Sequence, residues 1–310
     1  MSPIPCAGCL LFILALSPTA CAAQEEGPPP TGPYLGQEPP GLTPVVFAPG
    51  LVSTEQNELN AAFSPDGTEI YFSVSQAGQN TIVAIKLENG RWTGRSVVAF
   101  SGEYSDVDPF VSADGERLYY SSKRPMNVSG EAKDSDIWYV ERKENDEWSE
   151  PINLGAMNSQ GTDDYYTSIS SDGTLYFSRF EARGEGGDLY RSRLLDGAYG
   201  EPELLSAPLS TGSSEHDPFI APDGSFLIFT SNRPGGYGQG DLYISFRNSD
   251  GTWSEPRNMG DNINSPGYDF CAMMSPDGEH LFFTRTIDRN GDIYWVDAAV
   301  IEALRPDGSK

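Results

Sequence analysis

Phe63-Ser-Pro-Asp66-Gly-Thr-Glu-Ile70-Tyr-Phe72-Ser73 is written four more times along the chain. The copies are Val111-Ser-Ala-Asp114-Gly-Glu-Arg-Leu118-Tyr-Tyr120, Ile169-Ser-Ser-Asp172-Gly-Thr-Leu175-Tyr-Phe177, Ile220-Ala-Pro-Asp223-Gly-Ser-Phe226-Leu-Ile-Phe229 and Met274-Ser-Pro-Asp277-Gly-Glu-His280-Leu-Phe-Phe283. Asp-Gly between two apolar runs closes a hairpin, because glycine takes positive φ without steric cost and aspartate accepts from nearby backbone amides. The five turn aspartates stand 48, 58, 51 and 54 residues apart, a period long enough for one four-stranded unit. Their place in a tight turn accounts for them, so no catalytic role is expected of them.

Beyond each hairpin the pattern continues. The second strand is apolar at consecutive positions, as in Ile70-Tyr-Phe72 and Leu281-Phe-Phe283, so both of its faces must be covered, as they are when blades pack on neighbouring blades. A third strand follows in every repeat, at residues 82–85, 137–140, 189–192, 242–245 and 293–296. A fourth follows an aromatic turn residue (Trp92, Trp148, Tyr199 or Trp253) in four repeats. The fifth repeat lacks it, but Thr43-Pro-Val-Val-Phe47 resembles Glu150-Pro-Ile-Asn-Leu154 and precedes the first hairpin as the other outer strands precede theirs. The expected fold is therefore an all-β, five-bladed β-propeller of four-stranded blades over residues 43–304, with the N-terminal strand closing the last blade and removing exposed edges. A sixth blade has no residues left to build it.

Composition bounds the surroundings. The formal charge is -25, and none of the first 23 residues is charged, so the whole imbalance belongs to the downstream protein. Such a surface repels phosphate backbones, which excludes nucleic acid as a partner and favours cations or basic protein patches. In residues 1–23 an apolar run at 10–16 is followed by small residues, the pattern of a secretory signal and too short to span a bilayer. Two endings stay open: cleavage in Ala20-Cys21-Ala22, or lipidation of Cys21 within Pro18-Thr-Ala-Cys21. Residues 24–42, rich in Pro, Gly and Glu, read as a disordered tether, and residues 305–310 as a tail. The expectation is an exported protein, periplasmic or lipid-anchored in a bacterial cell envelope, meeting the membrane only through Cys21. After cleavage Cys271 stands alone, so no internal disulfide forms.

The repeated Ser-Pro-Asp-Gly-x-x-Leu/Ile-aromatic-Phe-Ser/Thr, with Arg-Pro after it (Arg124-Pro125, Arg233-Pro234) and Gly-Asp-Leu/Ile-Tyr beyond (Gly240-Asp-Leu-Tyr243, Gly291-Asp-Ile-Tyr294), resembles the WD-like repeat of the TolB-type propeller family. The resemblance covers about residues 43–300. It implies a propeller, and as a function a periplasmic interaction protein. Similar repeats also occur beside peptidoglycan-binding modules and in the propellers of prolyl-oligopeptidase-like peptidases. The chain departs from TolB in leaving no room for its separate N-terminal domain, and from the peptidases in lacking a domain with a Gly-x-Ser-x-Gly elbow.

Aligned on the turn aspartate, all five repeats carry an acid eight residues earlier: Glu58, Asp106, Asp164, Glu215 and Asp269. Asp108 and Asp217, six residues before the turn, add two more, and Cys271 aligns with them, as do Asn60 and Tyr166. Because the first two strands run antiparallel, the end of the second returns to the same face and brings Arg124, Arg179, Arg233 and Arg285; repeat one has Ser75-Gln76 there. Two readings follow. The acids and arginines fasten blade to blade, or the surplus of carboxylates binds a cationic ligand at the channel mouth. Oxygen ligands of this kind suit Ca²⁺, whereas two histidines are too few for a His/Cys zinc site, and no other cofactor is expected. His216 breaks the five-fold pattern between Glu215 and Asp217, as an acid–base group or as a histidine hydrogen-bonded to its neighbours. The leading functional reading is a non-enzymatic scaffold that binds a protein, peptide or envelope component. The alternative is an extracytoplasmic glycoside hydrolase using a pair of channel-mouth carboxylates.

Overall fold

The computed structural model describes residues 29–126, 134–159, 161–181 and 185–306. Residues 1–28, with Cys21 and the signal reading, lie outside them. Five antiparallel sheets stand around an axis, each led by an innermost strand: Asn57–Phe63, Asp106–Val111, Thr162–Ile169, Glu215–Ile220 and Tyr268–Met274. Each passes through its Asp-Gly turn to the second strand, then to a third and a short outer one. Helix among the described residues is limited to Ala299–Glu302 and two 3-10 turns.

The ring closes as the repeat count predicts. Val45–Val46 pairs with Asn290–Asp297, setting Val46 opposite Tyr294 and Val45 opposite Trp295, and the Phe47 amide donates to the Ile293 carbonyl at 2.8 Å. This is the register of the other four outer strands, where Val97 faces Val83, Asn153 faces Trp138, Leu204 faces Tyr190 and Asn258 faces Tyr243. The N-terminal strand thus completes blade five with the geometry its sequence likeness implied, and leaves no open edge between first and last blades.

Blades bind one another through apolar faces. Each outer aromatic packs on the blade before its own: Trp92 with Phe282 and Trp295, Trp148 with Tyr71, Tyr199 beside Tyr119, and Trp253 with the Tyr176 and Phe229 cluster. Tyr71, Phe72, Phe177, Phe229, Phe282 and Phe283 are fully buried, which explains the consecutive apolar positions of the second strands.

The tether reading of residues 24–42 changes within the described part. From Pro30 on the chain lies against the ring: the Trp92 amide donates to the Pro30 carbonyl, and the Trp92 indole N–H to the Gly32 carbonyl at 2.7 Å. Tyr34 sits among Phe63, His280, Phe282 and Trp295, and Leu35 is buried beside them. Two apolar side chains offset the ordering entropy that a Pro/Gly-rich segment otherwise keeps.

Candidate functional site

The innermost strands place two rings of side chains on the channel, two residues apart. The first ring is the acidic one. Glu58, Asp106, Asp164, Glu215 and Asp269 are all fully buried, and each meets an arginine. Arg124 reaches Asp106 at 3.0 Å, Arg179 reaches Asp164 at 2.7 and 2.9 Å, Arg233 reaches Glu215 at 3.1 Å and Arg285 reaches Asp269 at 2.7 Å. Repeat one follows suit by another route, since Arg95, from the turn before its outer strand, meets Glu58 at 2.8 Å. Sequence alignment misses Arg95 because it stands far from the position of the other four; its signal is a repeat that has the acid and lacks the base.

The pairs act as clamps on the segments entering each blade. The Thr54 and Thr211 hydroxyls and amides donate to Glu58 and Glu215, and the Ser265 hydroxyl and amide donate to Asp269. The arginines donate onward to the carbonyls of Phe100, Met157, Leu209 and Ile263. Each guanidinium also stacks on its blade's second strand, over Phe72, Tyr120, Phe177, Phe229 or Phe283 at 5.1–5.4 Å. Buried charges need a partner and hydrogen bonds for their remaining lone pairs, and these have both. Burial still lifts the Asp164 carboxyl above its ordinary range against the pull of Arg179. A Ca²⁺ ion at this level would have to displace an arginine.

The second ring is made by a β-bulge in each innermost strand, where Asn60, Asp108, Tyr166, Asp217 and Cys271 take φ of 48 to 58°. Residues of L configuration seldom accept this region, so the bulge re-aims each side chain at a cost that the ring packing offsets. All five are buried. In three blades the bulged amide donates to a hydroxyl of the preceding blade: Asn60 to Thr284, Asp108 to Ser73 and Asp217 to Ser178. The equivalent hydroxyls facing Tyr166 and Cys271, those of Ser121 and Thr230, have no partner among the described residues.

Here the repeat symmetry ends. The Cys271 thiol lies 3.5 Å from Asp217 and 3.9 Å from Asp108, bridging carboxyls from blades two and four. Burial, reinforced by the charge of Asp217, pushes Asp108 well above the carboxylate range, and burial beside the two acids pushes the Cys271 thiol up as well. Asp108 is therefore held as the acid, and the thiol is protonated rather than nucleophilic. His216 sets Nδ1 3.0 Å from Asp217 and hydrogen-bonds Tyr268 of blade five through Nε2, its ring stacked on the phenol at 5.8 Å. The histidine that stands out in the sequence thus ties the blade-four acid to its neighbour. Tyr268 is a contact the repeat alignment does not single out.

Past this plug, on the hairpin-turn side, the axis opens into a cavity of about 200 Å³. Phe63, Phe110, Ile169, Phe219 and Met274, one from each blade, line it with Pro65, Pro222 and Pro276. The wall carries no ionisable side chain, while each turn aspartate directly follows a lining residue: Pro65, Ala113, Ser171, Pro222 or Pro276.

No protein-family model matches the chain. The non-reducing end alpha-L-arabinofuranosidase of Bacteroides ovatus is 28% identical over 125 residues, which are 38% of this chain and 22% of that protein, so the chain spans about a fifth of its length. Among solved structures, the endo-arabinase of Bacteroides thetaiotaomicron matches with a TM-score of 0.55 at 18% identity, over 88% of this chain and 100% of that one. A TolB-type protein of Agrobacterium tumefaciens matches with a TM-score of 0.51 at 19% identity, over 78% and 77%. At such identities the likeness shows the fold, a propeller that hosts unrelated functions.

Proposed function

We propose that this chain is an exported propeller that binds a protein or peptide partner of the cell envelope without catalysis, taking an apolar side chain of that partner into the axial funnel. One observation carries the reading: the acidic ring is closed by arginines, whereas the cavity on the turn side is open and apolar. Ligand sites combine a concave apolar lining with a few polar groups, and here the exposed turns next in sequence to the lining carry Asp66, Asp114, Asp172, Asp223 and Asp277. Burying one phenyl or isobutyl group contributes about 1.5–3 kcal/mol, and the acidic turns favour a basic residue beside it. In this reading Glu58, Asp106, Asp164, Glu215 and Asp269 with their arginines hold the frame, while Asp108, Asp217 and His216 belong to the plug that separates them from the funnel. Export, and the periplasmic or Cys21-anchored placement, rest on residues 1–23; among the described residues no helix is long and apolar enough to cross a membrane.

Selection of displayed heptapeptides on the purified protein tests this. The expected ligands are basic peptides with an aromatic or leucine side chain that lose at least about tenfold in affinity on Phe110→Glu, a change at the half-buried funnel wall. Peptides that bind Phe110→Glu as tightly as the natural chain would remove the funnel from the proposal.

A second reading draws on the protonated Asp108 opposite Asp217, an acid–base pair of the kind glycoside hydrolysis needs. Its substrate would be an arabinofuranoside, after the name of the Bacteroides ovatus relative. Release of nitrophenol from aryl arabinofuranosides, lost in both Asp108→Asn and Asp217→Asn, would favour this reading over the scaffold.

A further inference from the structure

We propose that the fifth hairpin turn is a binding site for a divalent transition-metal ion, held by the carboxylates of Asp277 and Glu279 and the imidazole of His280. One ligand atom from each of the three residues lies within 4.8 Å of the other two. Both carboxylates are exposed at the turn, whereas His280 is 5% exposed and its Nδ1 has no hydrogen-bond partner among the described residues. A buried imidazole usually satisfies its nitrogens, so a ring left unpartnered beside two acids marks a ligand position.

The surroundings fix the imidazole as a ligand should be fixed. Tyr34 and Trp295 hold its ring from two sides, each at a centroid distance of 5.0 Å. Tyr34 also donates its hydroxyl to Asp277 Oδ2 at 2.5 Å, while the Ser275 hydroxyl and the Glu279 amide donate to Oδ1. Asp277 is thereby oriented by hydrogen bonds, the usual second support of a metal-bound carboxylate. The Glu279 carboxylate has no hydrogen bond or ion pair among the described residues and is free to swing inward.

The repeat supplies an internal comparison. Blade two has the same two acids at its turn, Asp114 and Glu116, but Arg117 follows, and its guanidinium pairs with Glu141 at 2.9 Å. Blades one, three and four place Thr68, Thr174 and Ser225 where Glu279 stands. The fifth turn alone joins two carboxylates to a histidine. One imidazole nitrogen with two carboxylate oxygens suits Zn²⁺ or Mn²⁺ better than Ca²⁺, which asks for six or more oxygens. Three protein ligands leave a position for water or an oxygen ligand, opening into a cleft of about 580 Å³ lined by Pro39, Pro40, Asp297 and Glu302. The N-terminal segment, through Tyr34 and the two prolines, forms part of the site.

Isothermal titration of the full chain with Zn²⁺ and with Mn²⁺, and Co²⁺ absorption as a reporter of imidazole ligation, tests the site. The expected result is one ion per chain, weakened at least about tenfold in Glu279→Gln and in His280→Gln and unchanged in Glu116→Gln. Glu279 is exposed, so its variant folds whatever becomes of His280→Gln. Equal weakening in Glu116→Gln would reduce the effect to diffuse charge and overturn the proposal. So would titrations in which neither ion binds, leaving an ordered water as the partner of His280 Nδ1.

Discussion

The two rings on the axis lie two residues apart and differ in kind. The ring of Glu58, Asp106, Asp164, Glu215 and Asp269 is acidic in every blade, and every acid is matched by a guanidinium from its own blade. The ring of Asn60, Asp108, Tyr166, Asp217 and Cys271 keeps one backbone conformation and has three side-chain chemistries besides the repeated acid. A position filled alike five times serves what all blades need, namely fastening the incoming segment. A position that varies at constant geometry is where one protein can differ from another. The five-fold acids look more chemical in the sequence, yet the uneven ring holds a carboxyl and a thiol that burial pushes well above their ordinary ranges.

The sharpest way to break this contrast is to unmatch one clamp. Arg179→Ala leaves Asp164 buried and unpaired, and is expected to cost about 3–5 kcal/mol in urea unfolding. A cost below about 1 kcal/mol would mean that the clamps are decoration rather than frame.

Asp108 tests the other ring, with the opposite sign. Its folded-state proton affinity is raised by burial and by Asp217, so the folded chain binds a proton that the unfolded chain has already lost. Stability from this group is complete at low pH and is lost as pH climbs from about 4, the unfolded value, through the raised folded one. Asp108→Asn keeps the shape, removes the titration and is expected to flatten the stability profile above pH 4, leaving the variant more stable than the natural chain near pH 7. Parallel profiles for the two proteins would mean that burial does not hold the proton on Asp108.

The smallest effect belongs to the turns. In Asp172→Ala the hydrogen bonds from Ser170 and Thr174 are lost at an exposed site, for an expected cost of about 0.5–1 kcal/mol in the same unfolding measurement. A loss matching that of Arg179→Ala would overturn the ranking of frame above turn.

Much of this was legible in the residues. Asp-Gly turns, the apolar second strands and the likeness of Thr43–Phe47 to an outer strand follow from local backbone and burial rules, which act over a few residues and leave a repeating trace. Five blades and ring closure follow from counting them. The alignment also brought Asn60, Asp108, Tyr166, Asp217 and Cys271 to one level.

Pairings between distant residues were not legible, because nothing in the local pattern constrains them. Arg95 finds Glu58 through the path of an outer turn, Tyr268 finds His216 across a blade boundary, and Tyr34 finds His280 from a segment whose composition reads as disorder. Whether a carboxylate is open, matched or protonated depends on the dielectric and the charges around it in the assembled ring. The order of residues specifies the blades; the closing of the ring sets which of their acids meets a base and which keeps a proton.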